Sequence, residues 1–311
     1  MKKKPGPKSS SDKAGEVRKA SAAKPSHGDQ EYHLRTRPGE IARYVVEVGD
    51  PGRAEMIANT LFDKTSEPRY FGDHRGLKCY TGFSTIGGGL GVMPISVVTT
   101  HMGGPNTGIV TPEAVRCGAR IIIRVGSCGG LWPQVEVGDS AICTGAVRLD
   151  GASSDWAPIE YPAIADYRVV SALVNAAEAL KLPYHVGIGA TTGCFNEGQA
   201  RPEFFTDEKG YIPPRLQQRH DELLKRGVLF YSMEEASLFT WCSGHGGFLA
   251  GAVDAIFCNR TKPDSKFEAK GEENAARIAI RALQILFTYF GVDGDPFSHH
   301  RPAFPSFEKW K

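Results

Sequence analysis

Apolar positions along the chain alternate between two spacings. Short, nearly unbroken runs predict strands buried in a sheet: Tyr44-Val-Val-Glu-Val48, residues 91–99, Arg120-Ile-Ile-Ile-Arg-Val-Gly126, and residues 138–144, 184–190 and 248–257. Between them, apolar residues three or four apart predict helices from Gly49 through Leu61 and over residues 111–117, 169–180 and 236–242, with an amphipathic helix over 273–290. Strands alternating with helices indicate an α/β fold around one largely buried sheet. No internal repeat and no apolar run long enough to span a membrane are visible.

Charge is uneven. The first 24 residues carry eight Lys/Arg and two acids, whereas the rest of the 311-residue chain holds a slight acidic excess. Residues 1–31 have too few large apolar side chains to offset the entropy of ordering, so they are expected to form a disordered basic tail. That leaves a domain over 32–292 and a C-terminal tail over 293–311. The opening residues do not read as a signal peptide. Seven cysteines, none in a C-x-x-C pair, fit reduced thiols in the cytoplasm and no metal cluster.

Three glycine-bearing turns follow strands. In Gly49-Asp-Pro-Gly-Arg53 the glycines admit close backbone approach, the helix start offers N–H groups to an anion, and Arg53 supplies a fork. Thr100-His-Met-Gly-Gly-Pro-Asn-Thr-Gly108 lacks the G-x-G-x-x-G order of a dinucleotide fingerprint. Arg124-Val-Gly-Ser127-Cys128-Gly129 places a cation in a buried run, where it needs an anionic partner. A protein carboxylate or a bound phosphate would serve, and the Ser127 hydroxyl with its neighbouring amides favours phosphate. No G-K-[ST] ending follows, which disfavours nucleotide hydrolysis. In Phe195-Asn-Glu-Gly-Gln199-Ala-Arg201, an extended backbone would put Gln199 and Arg201 on one side, suited to the edge of a planar heterocycle, with Phe195 over its face. In Met233-Glu234-Glu235 one carboxylate can cap a helix, or Glu234 can accept from a vicinal diol.

As an ordered set these residues resemble the nucleoside phosphorylase superfamily, specifically its pyrimidine, uridine-cleaving branch, from about Tyr32 to Leu286. Residues 147–153, Ala157-Pro-Ile-Glu-Tyr-Pro-Ala163 with Asp166, and Asn259-Arg-Thr261 complete the pattern. The resemblance implies a single-domain three-layer sandwich with a central mixed, partly barrel-like sheet flanked by helices. It implies reversible phosphorolysis of uridine to uracil and ribose 1-phosphate, with phosphate as a substrate and no metal or cofactor. Gly49, Arg53, Arg69, Arg124 and Ser127 would form the phosphate site, with Arg69 lent by a neighbouring subunit. His33 (also from the partner), Met233 and Glu234 would hold ribose. Cys128, Gly129, Phe195, Gln199 and Arg201 would meet the base, with Arg260 behind Arg201. Arg124, Arg201 and Glu234 would be catalytic. A homo-oligomer, at least a dimer sharing its active sites, follows.

Several positions depart from that pattern. Ser127-Cys128 replaces two threonines of bacterial members, Ser232 a second glutamate, His101 a glycine and Asn106 a serine; Tyr70 stands where a glutamate helps bind an interface cation. At the spacing where purine-specific relatives carry an acid stands Phe257, with Asp254 three residues short. A purine nucleoside phosphorylase, a hydrolytic nucleosidase and a non-catalytic nucleoside-binding protein remain the alternatives. The partner implied by the body, whose arginines would gather around one small anion, is phosphate plus nucleoside and not a polynucleotide; the basic tail says little about the substrate.

Overall fold

The computed structural model describes residues 20–64, 66–202, 210–262 and 264–292. In chain order the elements are β1 (Ser26–His27), β2 (Gln30–Glu31), β3 (Tyr44–Val48), α1 (Pro51–Leu61), β4 (Arg69–Gly72), β5 (Lys78–Ile86), β6 (Gly91–Thr99), α2 (Gly104–Cys117) and β7 (Ile121–Gly130). They continue as β8 (Ser140–Leu149), β9 (Ala163–Ile164), α3 (Tyr167–Leu180), β10 (Tyr184–Thr192), α4 (Pro214–Lys225), β11 (Phe230–Ser232), α5 (Glu235–His245), β12 (Leu249–Asn259) and α6 (Glu272–Phe290). Every strand and helix expected from the apolar spacing is present. Strands β4, β5, β9 and β11 and helix α4 are additional to the elements expected from the sequence. Strands β4, β9 and β11 span only two to four residues, β5 mixes polar and apolar positions, and α4 has just three leucines among mainly charged and amide side chains.

The main sheet runs β11-β10-β8-β12-β7-β3-β6-β5-β4, with an additional β11–β7 pairing. That pairing closes β7, β12, β8, β10 and β11 into a ring, and β3, β6, β5 and β4 extend from it as an open sheet. Strand β7 belongs to both parts and is almost wholly buried, which is why it reads as continuous Ile and Val. Helices α1, α3 and α6 pack on one face through Ile57, Leu173 and Leu283, and α2 and α5 on the other through Val110 and Phe239. The result is the mixed three-layer α/β architecture with a barrel-like centre.

The limits of the tail differ from expectation. Residues 20–31 are placed, and β1 and β2 pair antiparallel through Ser26–Glu31 and His27–Gln30. The buried Glu31 carboxylate binds Arg116 on α2 in a two-point contact of 3.0 and 2.8 Å. A polar anchor of this kind leaves no trace in apolar content. The remainder of the basic tail and residues 293–311 lie outside the described residues.

The ring and the open sheet direct the ends of β3, β7, β10, β11 and β12 to one mouth, where turns between parallel strands and helices converge. At β12 the register against β7 slips between Ile256 and Cys258, leaving Phe257 as the extra residue of a bulge. A bulge re-aims a side chain beside such a mouth.

Candidate active site

A cavity of about 330 Å³ opens at this mouth. Gly49 and Arg53 line it from the β3–α1 turn, and Arg124, Ser127, Cys128 and Gly129 from β7. Phe195, Gln199 and Arg201 follow β10, and Met233 and Glu234 follow β11. Eleven residues singled out in the sequence thus meet in one space. Arg69, His33 and Arg260 do not line it. The cavity wall also includes Asp50, His101, Met102, Tyr231, Ser232, Phe257 and Phe267. His101 and Ser232 were visible only as departures from a family pattern. Tyr231, Phe257 and Phe267 reach the site through strand register and loop path, which spacing does not encode.

At the cationic end, α1 begins with Asp50 accepting from the amides of Gly52 and Arg53 at 2.9 and 3.2 Å. These helix-start N–H groups are therefore capped by the chain itself, not left for an anion as the sequence suggested. Arg53 is buried, bonded to Glu272 of α6 and donating to the Val125 carbonyl at 3.0 Å. Arg124 has the carboxylate partners that a buried cation needs: its Nη2 donates to Glu234 at 2.5 Å and its Nε to Glu235 at 3.0 Å. Its Nη1 is buried with no protein partner. The carboxylate alternative is the one present, on two of the three nitrogens.

Glu234 is the residue before α5, and its carboxylate does not cap that helix. Its other oxygen accepts the Gly103 amide at 2.7 Å, tying the start of α2 to the site. Burial raises its proton affinity and Arg124 opposes this. Each carboxylate oxygen retains a lone pair for a further donor such as a sugar hydroxyl.

At the other end, Glu197–Gln199 is a turn of 3₁₀ helix and Ala200 adopts a left-handed backbone (φ 52°), so the segment is not extended as expected. Gln199 and Arg201 nevertheless meet, Arg201 donating to the Gln199 side-chain oxygen and to the Phe195 carbonyl (3.0 Å). The curled backbone achieves what alternation was expected to do. The Arg201 guanidinium lies 4.0 Å from the centre of the Phe195 ring. Arg260 donates to the carbonyls of Gln199 and Ala200 at 2.9 and 3.3 Å, behind the wall. Burial and the neighbouring Arg260 push Arg201 down to about 10, so it stays charged at neutral pH. Two adjacent cations make this wall receptive to negative charge. Cys128 is uncharged, because burial pushes its thiol well above the usual range.

Asp254, the acid near the purine-type spacing, is fully buried and does not line the cavity; bulged Phe257 does. His33 is bonded to Glu113 at 2.8 Å, and Arg69 is exposed on β4, 3.8 Å from Glu40. Among the described residues no group of three or more His, Cys, Asp or Glu side chains is arranged to hold a metal ion, and no helix is long and apolar enough to cross a membrane. All seven cysteines are unpaired.

A family model for the phosphorylase superfamily matches residues 43–287. The chain belongs to this superfamily. Among its superfamily relatives, a uridine phosphorylase of Thermococcus kodakarensis is 41% identical over 82% of this chain and 86% of its own length. Uridine phosphorylases of Klebsiella aerogenes and Escherichia coli are 35% and 34% identical, each over 82% of this chain and 97% of theirs. The matched superfamily region contains every cavity-lining residue named above.

Proposed function

We propose that this protein catalyses the reversible phosphorolysis of uridine. The observation that carries the reading is the single cavity joining buried cations, a carboxylate suited to a diol and a cationic wall suited to a pyrimidine edge. The uridine phosphorylases that it resembles support the choice of substrate. A phosphate oxygen attacks the anomeric carbon while the bond to the uracil nitrogen breaks, its electron pair leaving with the base. Ribose 1-phosphate forms, and the uracil anion takes a proton from water. Arg53, Arg124 and Ser127, at the end of the cavity that Gly49 also lines, hold the nucleophile in line. Glu234 and Met233 hold the sugar; Cys128, Gly129, Phe195 and Gln199 line the base. Arg201, backed by Arg260, meets the charge that develops on the departing ring, where fixed donors accelerate most.

No metal or organic cofactor enters this scheme. A partner subunit supplies Arg69 and His33, so the working unit is at least a dimer. The seven unpaired thiols support a cytoplasmic setting. Phe257 in place of an acid supports a pyrimidine over a purine, whose departure is helped by protonation of the ring. The test is product formation from uridine, thymidine and inosine, with and without phosphate. Phosphate-dependent cleavage of uridine is expected. Preference for inosine, or equal turnover without phosphate, would overturn the reading.

A further inference from the structure

Behind Arg124 lies a buried group that the scheme above leaves unused. Glu235, the first residue of α5, and Asp254, in the middle of β12, are both fully buried and outside the cavity wall. Glu235 accepts from Arg124 Nε at 3.0 Å and, through its other oxygen, from the Ser232 hydroxyl. Asp254 pairs with Gly126 across the β12–β7 ladder. A side chain at Gly126 would collide with the Asp254 carboxyl at 1.9 Å and with the Arg124 guanidinium at 2.7 Å, so glycine there lets Asp254 close on the arginine from behind.

Among the described residues neither Asp254 oxygen has a hydrogen-bonding partner, although the carboxyl sits beside the Arg124 guanidinium at Gly126. Charge favours one neutral acid here: one buried cation faces Glu234, Glu235 and Asp254, and a third full negative charge would repel an incoming phosphate dianion. Burial and the Glu235 charge drive Asp254 to the neutral acid, whereas Arg124 and the Ser232 hydroxyl outweigh the burial of Glu235 and keep it ionised.

We propose that Glu235 and Asp254 are positioning residues for phosphate. Glu235 clamps Arg124 by its Nε edge so that the unpartnered Nη1 is left for the nucleophile, and Asp254 closes the group from behind across Gly126. The proposal rests on the phosphorolysis reading. It also explains Ser232: its small hydroxyl leaves room for the Glu235 carboxylate, which arrives from one turn along the chain.

Two quantities decide it: the Kd for inorganic phosphate by titration calorimetry, and the KM values for phosphate and uridine with kcat. Glu235→Ala removes the clamp and is expected to weaken phosphate roughly tenfold or more, the scale of one charge-assisted bond, with uridine KM changing far less. Glu235→Gln, which keeps an acceptor for Nε, is expected to restore phosphate affinity to within about threefold of wild type. Phosphate affinity unchanged in Glu235→Ala, or equal losses for both substrates, overturns the role. If Glu235→Ala does not fold, Asp254→Leu carries the test: it removes the backing carboxyl without opening a void. Weaker phosphate binding then supports the pair, and unchanged binding or failure of both variants to fold overturns it. Wild-type protein that binds phosphate but never cleaves uridine would overturn the phosphorolysis reading alone.

Discussion

At the scale of single residues, the cavity holds charges where water is scarce. Arg201 is held over Phe195 and against Gln199 beside a second arginine, so in the proposed reaction its charge is fixed before the base begins to leave. Arg201→Ala is therefore expected to lower kcat about a hundredfold or more while phosphate KM stays within about twofold. Unchanged uridine turnover in steady-state assays would remove Arg201 from the base wall. Glu47 shows the opposite economy of charge. It is buried on β3 beside Arg124, takes only the Thr111 hydroxyl (3.0 and 3.1 Å), and is pushed by burial from 4.5 up to about 7. The folded state thus binds a proton more tightly than the unfolded chain. The stability linked to Glu47 is fully present below pH 4.5, declines as the pH rises toward 7, and is gone above it, about 3 kcal/mol in all. Glu47→Gln keeps the acceptor and removes the titration. Its Tm is expected to exceed that of wild type at pH 8, with the gap closing toward pH 5; parallel curves would exclude the assignment.

At the scale of elements, charged side chains act as fasteners. Arg53 joins α1 to α6, Glu234 joins the start of α2 to the end of β11, and Arg116 joins α2 to the first hairpin. The clearest case is Arg148 near the end of β8. It donates to the carbonyls of Pro158 (2.5 Å), Tyr161 (2.6 Å), Ser153 (2.7 Å) and Ala157 (2.7 Å), and to the Ser153 hydroxyl (3.0 Å). One planar fork satisfies an entire irregular segment, which a lysine's point charge cannot do. Arg148→Lys is expected to speed amide exchange over residues 152–161 by roughly tenfold or more while α3 and α6 keep their protection. Uniform protection across the segment would assign its order to other contacts. The segment was recognisable as part of a family pattern, but its fastener was not, because Arg148 reads simply as one basic residue in a strand.

At the scale of the molecule, the cavity collects cations and carboxylates from five strand ends, whereas Arg69 and His33 lie outside it. If each site borrows those two residues from a neighbour, Arg69→Ala and Arg124→Ala variants are each inactive, yet mixing them after reversible dissociation is expected to restore about a quarter of wild-type activity, because mixed dimers hold one intact site. No recovery on mixing would confine each site to one chain. The sequence by itself determined the α/β alternation, the strands and helices with strong apolar periodicity, and eleven of the side chains and glycines that line the cavity. Each of these is written locally, in a repeat of two or three to four residues or in the chemical type of one residue. Only the tertiary structure decided the ring closed by β11 on β7, the bulge that turns Phe257 into the cavity, and the curl that brings Gln199 to Arg201. It also decided that Arg124 answers to Glu234 and Glu235, about 110 residues away. Such pairings depend on which buried polar groups meet once the sheet has closed, and no local pattern records the partner that satisfies a charge across the core.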